Sequence, residues 1–518
     1  MESTATRLSA AQRWMLAISC SAVALVVASM AALYTALPEI AAATGASQQQ
    51  LTWVVDGYTL ALACLVLPAG ALGDRYGRRA MLIIGLFVFA AASAAPLLLD
   101  TPGWLIATRA AAGAGAALVM PSTLSLITAG FPESRRAYAV GLWAGVAGIG
   151  AVLGILGSGL LLEPWSWVSV FLAMAVAGLL LMIAGFTVPE SVDRTRPRID
   201  LWGAATAAVA VGLLVVAAIE APERGWLDPV VIAMAVAAVL AGVVFVTVES
   251  RVAHPLLDVR LFADRGFGSG TAAVMVQFLV SFGAFLLMVQ FLQLILGYGP
   301  LTSALAMAPM MVPMVAVSVV APRLAERVGL RLPIASGLAI IAIALLAMSR
   351  IDTHTTYLDL VWSLLVMSTG VGLCTAPATA AIIAGTPVEK HGVAAAVNDA
   401  AREVGAAVGI AISGSVLAAG YSDRIAPALP RLPEPIREPV GDSLAAALQV
   451  TERMGPQAAP LAEFAETAFV HGAQQSALAL GIVTLVAAVL IGVWAPGRSH
   501  AKTKPARARQ EAEPATAP

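Results

Sequence analysis

Long apolar segments recur along the whole chain, and no other feature of the sequence constrains the fold as strongly. Each is about 20 residues long, the length that an α-helix needs to cross the hydrocarbon core of a bilayer. The segments begin near Trp14, Thr52, Ala80, Gly103, Tyr138, Trp167, Leu201, Pro229, Phe267, Thr302, Leu332, Leu358, Val393 and Gly472. Because helices satisfy their own backbone hydrogen bonds in lipid, the pattern predicts an all-α integral membrane protein with 14 spans.

The composition agrees with this prediction and excludes several classes of protein. Charged residues make up 12% of the 518 residues, against about 25% in soluble domains. The net charge of −1 gives no reason to expect a nucleic-acid partner. The sequence has no zinc-type histidine spacing, no nucleophile motif and no GxxxxGK[ST] phosphate loop. We therefore expect a protein that is not an enzyme, with no catalytic residue, no metal site and no cofactor.

Basic residues fall on one side of the predicted spans. If the N-terminus is cytoplasmic, the cytoplasmic connections hold Arg75, Arg78, Arg79, Arg135, Arg136, Arg194, Arg196, Arg198, Arg251, Arg260, Arg265, Arg323, Arg327, Arg331 and Lys390. The outer connections hold little more than Arg224 and Arg350, whereas the tail 498–518 is basic. This asymmetry follows the positive-inside rule and predicts cytoplasmic N- and C-termini in a bacterial inner membrane.

Two short motifs recur at nearly the same spacing, which indicates an internal repeat of the kind found in transporters. Residues 72–79 (LGDRYGRR) and 324–331 (LAERVGLR) share a leucine, an acid, an arginine, a glycine and a final arginine. Residues 150–154 of span 5 (GAVLG) match residues 405–409 of span 13 (GAAVG). Two halves that rock around a midplane site would give alternating access.

The repeat divides the chain into parts. We predict a six-helix bundle over residues 1–190, two linker helices over 191–250, a second six-helix bundle over 251–497, and the cytoplasmic tail. The second bundle carries a long outer loop at about 420–471, whose proline-rich part, Pro427 to Pro439, is expected to be irregular. This loop is either a tolerated surface insertion or a lid over the substrate path.

Residues 70–79 (GALGDRYGRR) resemble the hallmark loop of the major facilitator superfamily. Further matches are Ala36-Leu37-Pro38, residues 53–58 (WVVDGY), Arg109 with Gly113, Gly115 and Pro121, and residues 254–262 (HPLLDVRLF). Together they are similar to the fourteen-helix drug:proton antiporter branch, especially its quaternary-ammonium exporters. The resemblance implies the major facilitator fold, with two pseudo-symmetric six-helix bundles plus two extra helices. It also implies export of hydrophobic, often cationic compounds in exchange for protons.

Three features of the sequence depart from that family pattern. Ser29 stands where span 1 usually carries an acid, and Ile155 follows Gly154 where a proline is usual. Span 10 has no acid, although some exporters of this branch carry one there. These departures bear on proton coupling and on dicationic substrates rather than on the fold.

Asp56 is a candidate binding residue in span 2, because an ionisable group inside a span is costly and needs a reason to be there. It would hold a proton or a cationic head group, with Trp53 and Tyr58 nearby for cation–π contact. The alternative is a carboxylate at a helix end, solvated by the membrane interface.

Span 13 holds a denser cluster of polar residues. Asp399, Arg402 and Glu403 share one helix face, because they are three and four residues apart. Two acids around one arginine could exchange a proton for a substrate charge, or form an ion pair that only holds the helix in place. The resemblance places acids at the positions of Asn398 and Asp399, which favours Asp399 as the working residue.

Arg109 in span 4 has no acid within its own span. Arginine does not lose its proton, so the side chain must find an acceptor or water across the bundle. The resemblance implies a part in proton coupling, and a structural pair is the alternative.

The charged loop after span 2 is a candidate gate. A solvated surface cluster is one interpretation. The resemblance to the major facilitator superfamily implies the other, a latch in which Asp74 docks on the positive N-terminus of a helix from the other half. The recurrence of the pattern after span 10 favours the latch. The gate candidates are Gly70, Asp74, Arg75, Gly77, Arg78, Arg79, Glu326 and Arg327.

Glycines make one side of span 5 thin, and small residues let helices approach closely in lipid. We expect Gly150, Gly154 and Gly159 to serve helix packing at the contact between the two halves.

These observations predict a monomeric secondary transporter that exports hydrophobic, cationic small molecules in exchange for protons. Its partners would be those substrates, protons and the lipid bilayer, and the proton gradient would supply the energy. Two alternatives stay open. One is an exporter or facilitator of a single endogenous metabolite, which Ser29 and Ile155 favour. The other is a membrane sensor without transport that binds a ligand at the outer loop.

Overall fold

The computed structural model describes residues 8–46, 48–192, 200–252, 255–387 and 390–497. Several positions singled out in the sequence lie outside these described residues: Arg194, Arg196, Arg198, His254 and the tail 498–518.

The described residues form long α-helices joined by short connections. Fourteen of the helical segments are long and apolar enough to cross a membrane, which confirms the predicted number of spans. The helices are α1 (Ala10–Thr44), α2 (Gln48–Tyr76), α3 (Arg78–Ala94), α4 (Pro102–Gly130), α5 (Glu133–Leu162), α6 (Val168–Gly185), α7 (Leu201–Arg224), α8 (Pro229–Glu249), α9 (Arg265–Leu294), α10 (Pro300–Met307), α11 (Met311–Val328), α12 (Arg331–Met348), α13 (Tyr357–Ala384), α14 (His391–Ile425), α15 (Glu434–Asp442), α16 (Leu444–Met454) and α17 (Ala459–Trp494). A 3₁₀ turn, Ala308–Met310, joins α10 and α11 into the tenth span.

The bundle has two ends, which we name by the helices that meet there. The proximal face carries the start of α1, the turn between α2 and α3, and the start of α14. The distal face carries the connection between α14 and α17, which we call the distal cap (residues 426–458).

The distal cap corrects the prediction of an irregular loop. It contains α15 and α16, and α17 begins at Ala459, well before the expected Gly472. Pro435 lies in the first turn of α15, where backbone N–H groups have no partner within the helix and proline costs no hydrogen bond. The cap packs down on the bundle, because Val440 is fully buried and its carbonyl accepts a 2.7 Å hydrogen bond from the Tyr421 hydroxyl.

Helix contacts repeat between the two halves. In the first half α1 packs on α5, α2 on α4, and α3 on α6. In the second half α9 packs on α14, α11 on α13, and α12 on α17. Across the middle, α2 meets α14 while α5 meets α11. The predicted pair of six-helix bundles follows. Helices α7 and α8 pack on each other, and α7 also packs on α2 and α14.

The repeated glycines explain part of this symmetry. A Cβ atom at Gly154 would lie 2.2 Å from the carbonyl oxygen of Ala28 in α1. At Gly409 it would lie 1.9 Å from the carbonyl oxygen of Leu279 in α9. Each glycine thus lets the fifth helix of its half touch the first helix of the same half, at a distance that no side chain permits.

This arrangement corrects the predicted role of two glycines. Gly150, like Gly154, faces α1 and not the other half, since its Cβ would lie 2.8 Å from Cβ of Val27. Gly159 does face the second half, where its Cβ would lie 3.2 Å from a methyl group of Leu301. The contact between halves uses other glycines of α5, such as Gly141, whose Cβ would lie 2.4 Å from the Ser318 carbonyl oxygen.

Candidate functional site

Arg109 is buried in the first half, with 1% of its surface exposed. Its guanidinium donates a 2.9 Å hydrogen bond to the Ser29 hydroxyl and 3.2 Å bonds to the carbonyl oxygens of Ser29 and Val54. The acceptor that the sequence required across the bundle is therefore Ser29, the residue that replaces the usual acid. All of these hydrogen-bond acceptors are neutral, so none of them titrates.

Tyr58 has a different partner from the one expected. The Arg109 guanidinium lies over its ring at 4.2 Å from the centroid, and its hydroxyl donates to the Val26 carbonyl at 2.9 Å. Tyr58 is fully buried, so its ring face is already occupied by a cation of the protein itself. It cannot serve as an open aromatic surface for a substrate.

Asp56 and Trp53 remain at the partly exposed side of α2. Tyr34 in α1, which is 52% exposed, lies within electrostatic range of both Asp56 and Arg109. Sequence patterns did not single out Tyr34, although an aromatic residue with a hydroxyl inside an apolar span is a usable signal. Tyr34, Trp53 and Asp56 together give the first half an accessible aromatic and acidic surface.

The predicted cluster in α14 is buried and charged. Asp399 is fully buried, and one of its carboxylate oxygens lies 3.5 Å from Nη1 of Arg402. The same oxygen accepts a 3.2 Å hydrogen bond from the Asn398 amide. Among the described residues, the other oxygen of Asp399 and Nε of Arg402 have no hydrogen-bond partner, although both atoms are buried. The ion pair therefore keeps one free acceptor and one free donor inside the protein.

Arg402 connects the two halves. Its guanidinium lies 4.6 Å from the ring centroid of Phe278 in α9 and 5.4 Å from that of Trp143 in α5. Trp143 is buried and donates to the Thr123 hydroxyl at 3.1 Å, so its position is fixed within the first half. Sequence reasoning missed Trp143, and its place in a glycine-rich helix was the available signal.

Glu403 completes this group, which we call the α14 charge cluster (Asp399, Arg402 and Glu403). Its side chain is buried and lies within electrostatic range of Tyr58 in α2, the ring that holds Arg109. Tyr58, whose ring holds Arg109, therefore lies near the acid that follows Arg402, at the contact between the halves. The structure thus gathers most of the predicted binding residues in one region.

Asp74 makes the docking contact that the latch interpretation requires. Its two carboxylate oxygens accept hydrogen bonds from the backbone N–H groups of Gly392, at 2.9 Å, and Val393, at 3.1 Å. Arg78 also donates to it at 2.8 Å. The first N–H groups of a helix lack partners within it, and the N-terminus favours a negative charge. Asp74 from the first half therefore caps the first turn of α14 in the second half.

Close packing accompanies this cap. A Cβ atom at Gly70 would lie 2.5 Å from the Gly392 carbonyl oxygen. His391, which is 1% exposed, makes a 3.0 Å hydrogen bond with the Thr128 hydroxyl of α4. The start of α14 is thus held by α2 and α4 at the proximal face, and the sequence had not pointed to His391.

The remaining residues of the segment 70–79 stabilise the turn between α2 and α3. Gly77 has a φ of 110°, a conformation suited to glycine, and Glu190 accepts hydrogen bonds from the backbone N–H groups of Arg79 and Ala80. The Arg75 guanidinium lies 5.3 Å from the Tyr76 ring centroid. These contacts fix the α2–α3 turn against the end of α6 and its following segment.

The second copy of the motif does not form a second latch. Gly329 repeats the positive φ of Gly77, and Arg331 donates to the carbonyls of Val493 and Ala495 at the end of α17. Glu326 and Arg327 are exposed. The recurring pattern therefore reflects a turn followed by an arginine that binds the last helix of each half. Our interpretation of Glu326 and Arg327 as gate residues is corrected accordingly.

We expect Asp74→Asn to weaken the cap on α14 and to slow transport by about tenfold. An amide keeps one acceptor but loses the charge, and a charge-assisted hydrogen bond contributes about 1.5–3 kcal/mol. The matched control is Glu326→Gln, which makes the same change at the exposed counterpart. Initial transport rates of both variants in reconstituted vesicles check this, and equal rates would refute the latch.

We expect Ser29→Ala to lower the melting temperature, because it removes the one side-chain acceptor of a buried guanidinium. Loss of such a hydrogen bond costs about 1.5–3 kcal/mol. Ser19→Ala in the same helix is the control, since Ser19 is equally buried and its hydroxyl has no partner. Thermal unfolding of the purified variants should separate them, and an equal melting temperature would contradict the role given to Ser29.

Comparison with known proteins agrees with this architecture. Multidrug resistance protein Stp of Mycobacterium tuberculosis is 35% identical over 408 residues, which cover 78% of this chain and 76% of that protein. Methyl viologen resistance protein SmvA of Salmonella typhimurium is 34% identical over 477 residues, covering 89% of this chain and 93% of that protein.

A solved structure shows the same fold. The human organic anion transporter MFSD10 superposes with a TM-score of 0.63 at 12% identity, and the match covers 93% of this chain and 100% of that one. The sequence model of the Major Facilitator Superfamily matches residues 19–410. The chain therefore belongs to the major facilitator superfamily, and it is an integral membrane transporter rather than an enzyme.

Proposed function

We propose that this transporter exports hydrophobic cationic small molecules in exchange for protons, by alternating access between its two halves. The relatives named above are multidrug and methyl viologen resistance proteins, and methyl viologen is an aromatic dication. The observation that carries the proposal is the α14 charge cluster, in which a buried aspartate keeps one carboxylate oxygen without a partner.

The cluster is suited to proton exchange. An unpaired acceptor inside the protein is costly, and protonation of Asp399 removes that cost while it releases Arg402 from its pair. Arg402 touches aromatic rings of both halves. Protonation of Asp399, which removes the negative charge beside Arg402, therefore affects contacts in both halves. Coupling of the proton to the movement of the halves follows from this placement.

The first half would hold the substrate. Arg109 is held by the Ser29 hydroxyl and by backbone carbonyl oxygens. A serine hydroxyl does not ionise near neutral pH. In the surface that Tyr34, Trp53 and Asp56 form, Tyr34 is exposed and the other two are partly exposed. Hydrophobic cations bind to aromatic faces and carboxylates, so we assign this surface to the substrate and the α14 charge cluster to the proton.

The proposal includes the place and the energy source of the transporter. We assign the proximal face to the cytoplasm of a bacterium and the bundle to its inner membrane, because the basic connections lie on that face. The Asp74 cap on α14 would then close the cytoplasmic side and open once in each cycle. The protein would act as a monomer, without ATP or a cofactor.

Accumulation of ethidium and benzalkonium in bacteria that lack their own drug exporters tests this function. We expect cells that express the transporter to accumulate less of both cations, and to lose that protection when a protonophore is added. A hydrophobic anion of similar size is the control compound. If no cation is exported, an exporter of one endogenous metabolite becomes the better account, and binding without export would indicate a sensor.

A further inference from the structure

Two carboxylates meet at the proximal ends of the linker helices. Asp200 precedes α7, and one of its oxygens accepts a 2.8 Å hydrogen bond from the backbone N–H of Gly203. Glu249 is the last residue of α8, and one of its oxygens accepts a 3.0 Å hydrogen bond from the backbone N–H of Leu257. Each acid thus uses one oxygen to fix the local backbone.

Among the described residues, the second oxygen of each acid has no hydrogen-bond partner. These atoms, Oδ2 of Asp200 and Oε1 of Glu249, are buried, and Glu249 is 3% exposed. A buried acceptor without a partner is costly, and two like charges at one site oppose ionisation of both. These two oxygens therefore require something between them.

Gly203 shows how close the oxygens lie. A Cβ atom at this position would be 1.9 Å from Oε1 of Glu249 and 3.1 Å from Oδ2 of Asp200. Because both oxygens surround the same point, they are at most about 5.0 Å apart. Within that distance one small cation can contact both oxygens, and no side chain fits between them.

Among the described residues, Lys390, which precedes α14, also lies within electrostatic range of Glu249. Among the described residues, the ion pairs include none between Lys390 and either acid. One lysine at a distance leaves two carboxylates incompletely neutralised. The site therefore still favours one additional positive charge.

We propose that Asp200 and Glu249 form a small-cation site, which takes up one proton or one alkali-metal ion between their free oxygens. A bound cation joins α7, α8 and the segment before α9, because Asp200 and Glu249 anchor those elements through Gly203 and Leu257. The site thus stabilises the linker at the proximal face. It does not depend on the proposed substrate or on proton-coupled export.

Thermal unfolding of the purified full-length protein tests this site. The melting temperature is measured with sodium, potassium or N-methylglucamine chloride at constant ionic strength, and from about pH 6 to about pH 9 in N-methylglucamine. A cation that binds the folded state only raises the melting temperature by a few degrees when it saturates the site. The variants are Glu249→Gln and Asp200→Asn, and the control is Glu220→Gln at the distal end of α7, where Glu220 pairs with Arg224.

An alkali-metal site is indicated if sodium or potassium raises the melting temperature of the wild type and the control, but not of Glu249→Gln. A shared proton is indicated if the alkali ions have no effect and stability falls with rising pH in the wild type only, since the folded state then binds the extra proton. If Glu249→Gln does not fold, Asp200→Asn replaces it as the test variant, with the same expected results. Equal dependence on ions and pH in the wild type and in these variants would overturn the proposal.

Discussion

Asp399→Asn is expected to abolish the concentration gradient of a hydrophobic cation that the wild type maintains. For each net charge moved down 100 mV, about 2.3 kcal/mol is available, which sustains roughly a 40-fold gradient at 1.4 kcal/mol per tenfold. Asparagine keeps the size of Asp399 and a carbonyl acceptor for the Asn398 amide, but it binds no proton. Steady-state accumulation in energised inside-out vesicles should therefore fall to about onefold.

Asp423→Asn is the matched control, because Asp423 is an exposed acid on the same helix. It should leave the gradient unchanged. Asp399→Glu restores a carboxyl group and should recover part of the activity, which separates a proton role from a folding defect. A normal gradient in Asp399→Asn would show that the proton is exchanged elsewhere.

Gly409→Ala and Gly154→Ala are expected to destabilise the protein by similar amounts. Each new Cβ would lie 1.9 or 2.2 Å from a backbone carbonyl oxygen of the neighbouring helix, so that helix must move away. Overpacking of this kind costs about 1–3 kcal/mol. Melting temperatures of the purified variants, measured against the wild type, check the expected loss in both halves.

The same two helices supply matched controls. Gly414→Ala in α14 places a Cβ 3.7 Å from a Leu286 methyl group, and Gly157→Ala in α5 meets nothing within 4 Å. Both should be neutral or slightly stabilising, because alanine has the higher helix propensity. If all four variants behaved alike, the close contacts of Gly154 and Gly409 with α1 and α9 would be refuted.

The spans and the repeat could be predicted because both are properties of local sequence. A run of apolar residues long enough to cross a bilayer has few alternatives, so the starts of most helices were right to within a few residues. The docking contact of Asp74 was expected from the family resemblance and not from local sequence, because its partner Gly392 lies 318 residues further along the chain. The distal cap was predicted wrongly only in part, because residues 427–433 form turns and a short 3₁₀ segment, whereas Pro435 and Pro439 lie in α15. Pro435 is in the first turn of that helix, where proline costs no hydrogen bond.

Contacts between distant helices could not be read from the sequence. Arg109 needed an acceptor, but nothing in span 4 identified Ser29 in α1, and Tyr58 was expected to face a substrate rather than Arg109. Glu326 repeats the pattern of Asp74 and still lies exposed. Such pairings depend on the packing angles of whole helices, which the apolar pattern does not encode.

Proton movement in proteoliposomes tests the central claim most directly. Vesicles that contain only the purified transporter and a pH-sensitive dye inside are given an acidic interior, and ethidium is then added outside. Exchange of a cation for protons predicts that ethidium dissipates the pH gradient with the wild type and not with Asp399→Asn. Uptake of ethidium without any change in internal pH would contradict the account, since the transporter would then move cations without exchanging them for protons.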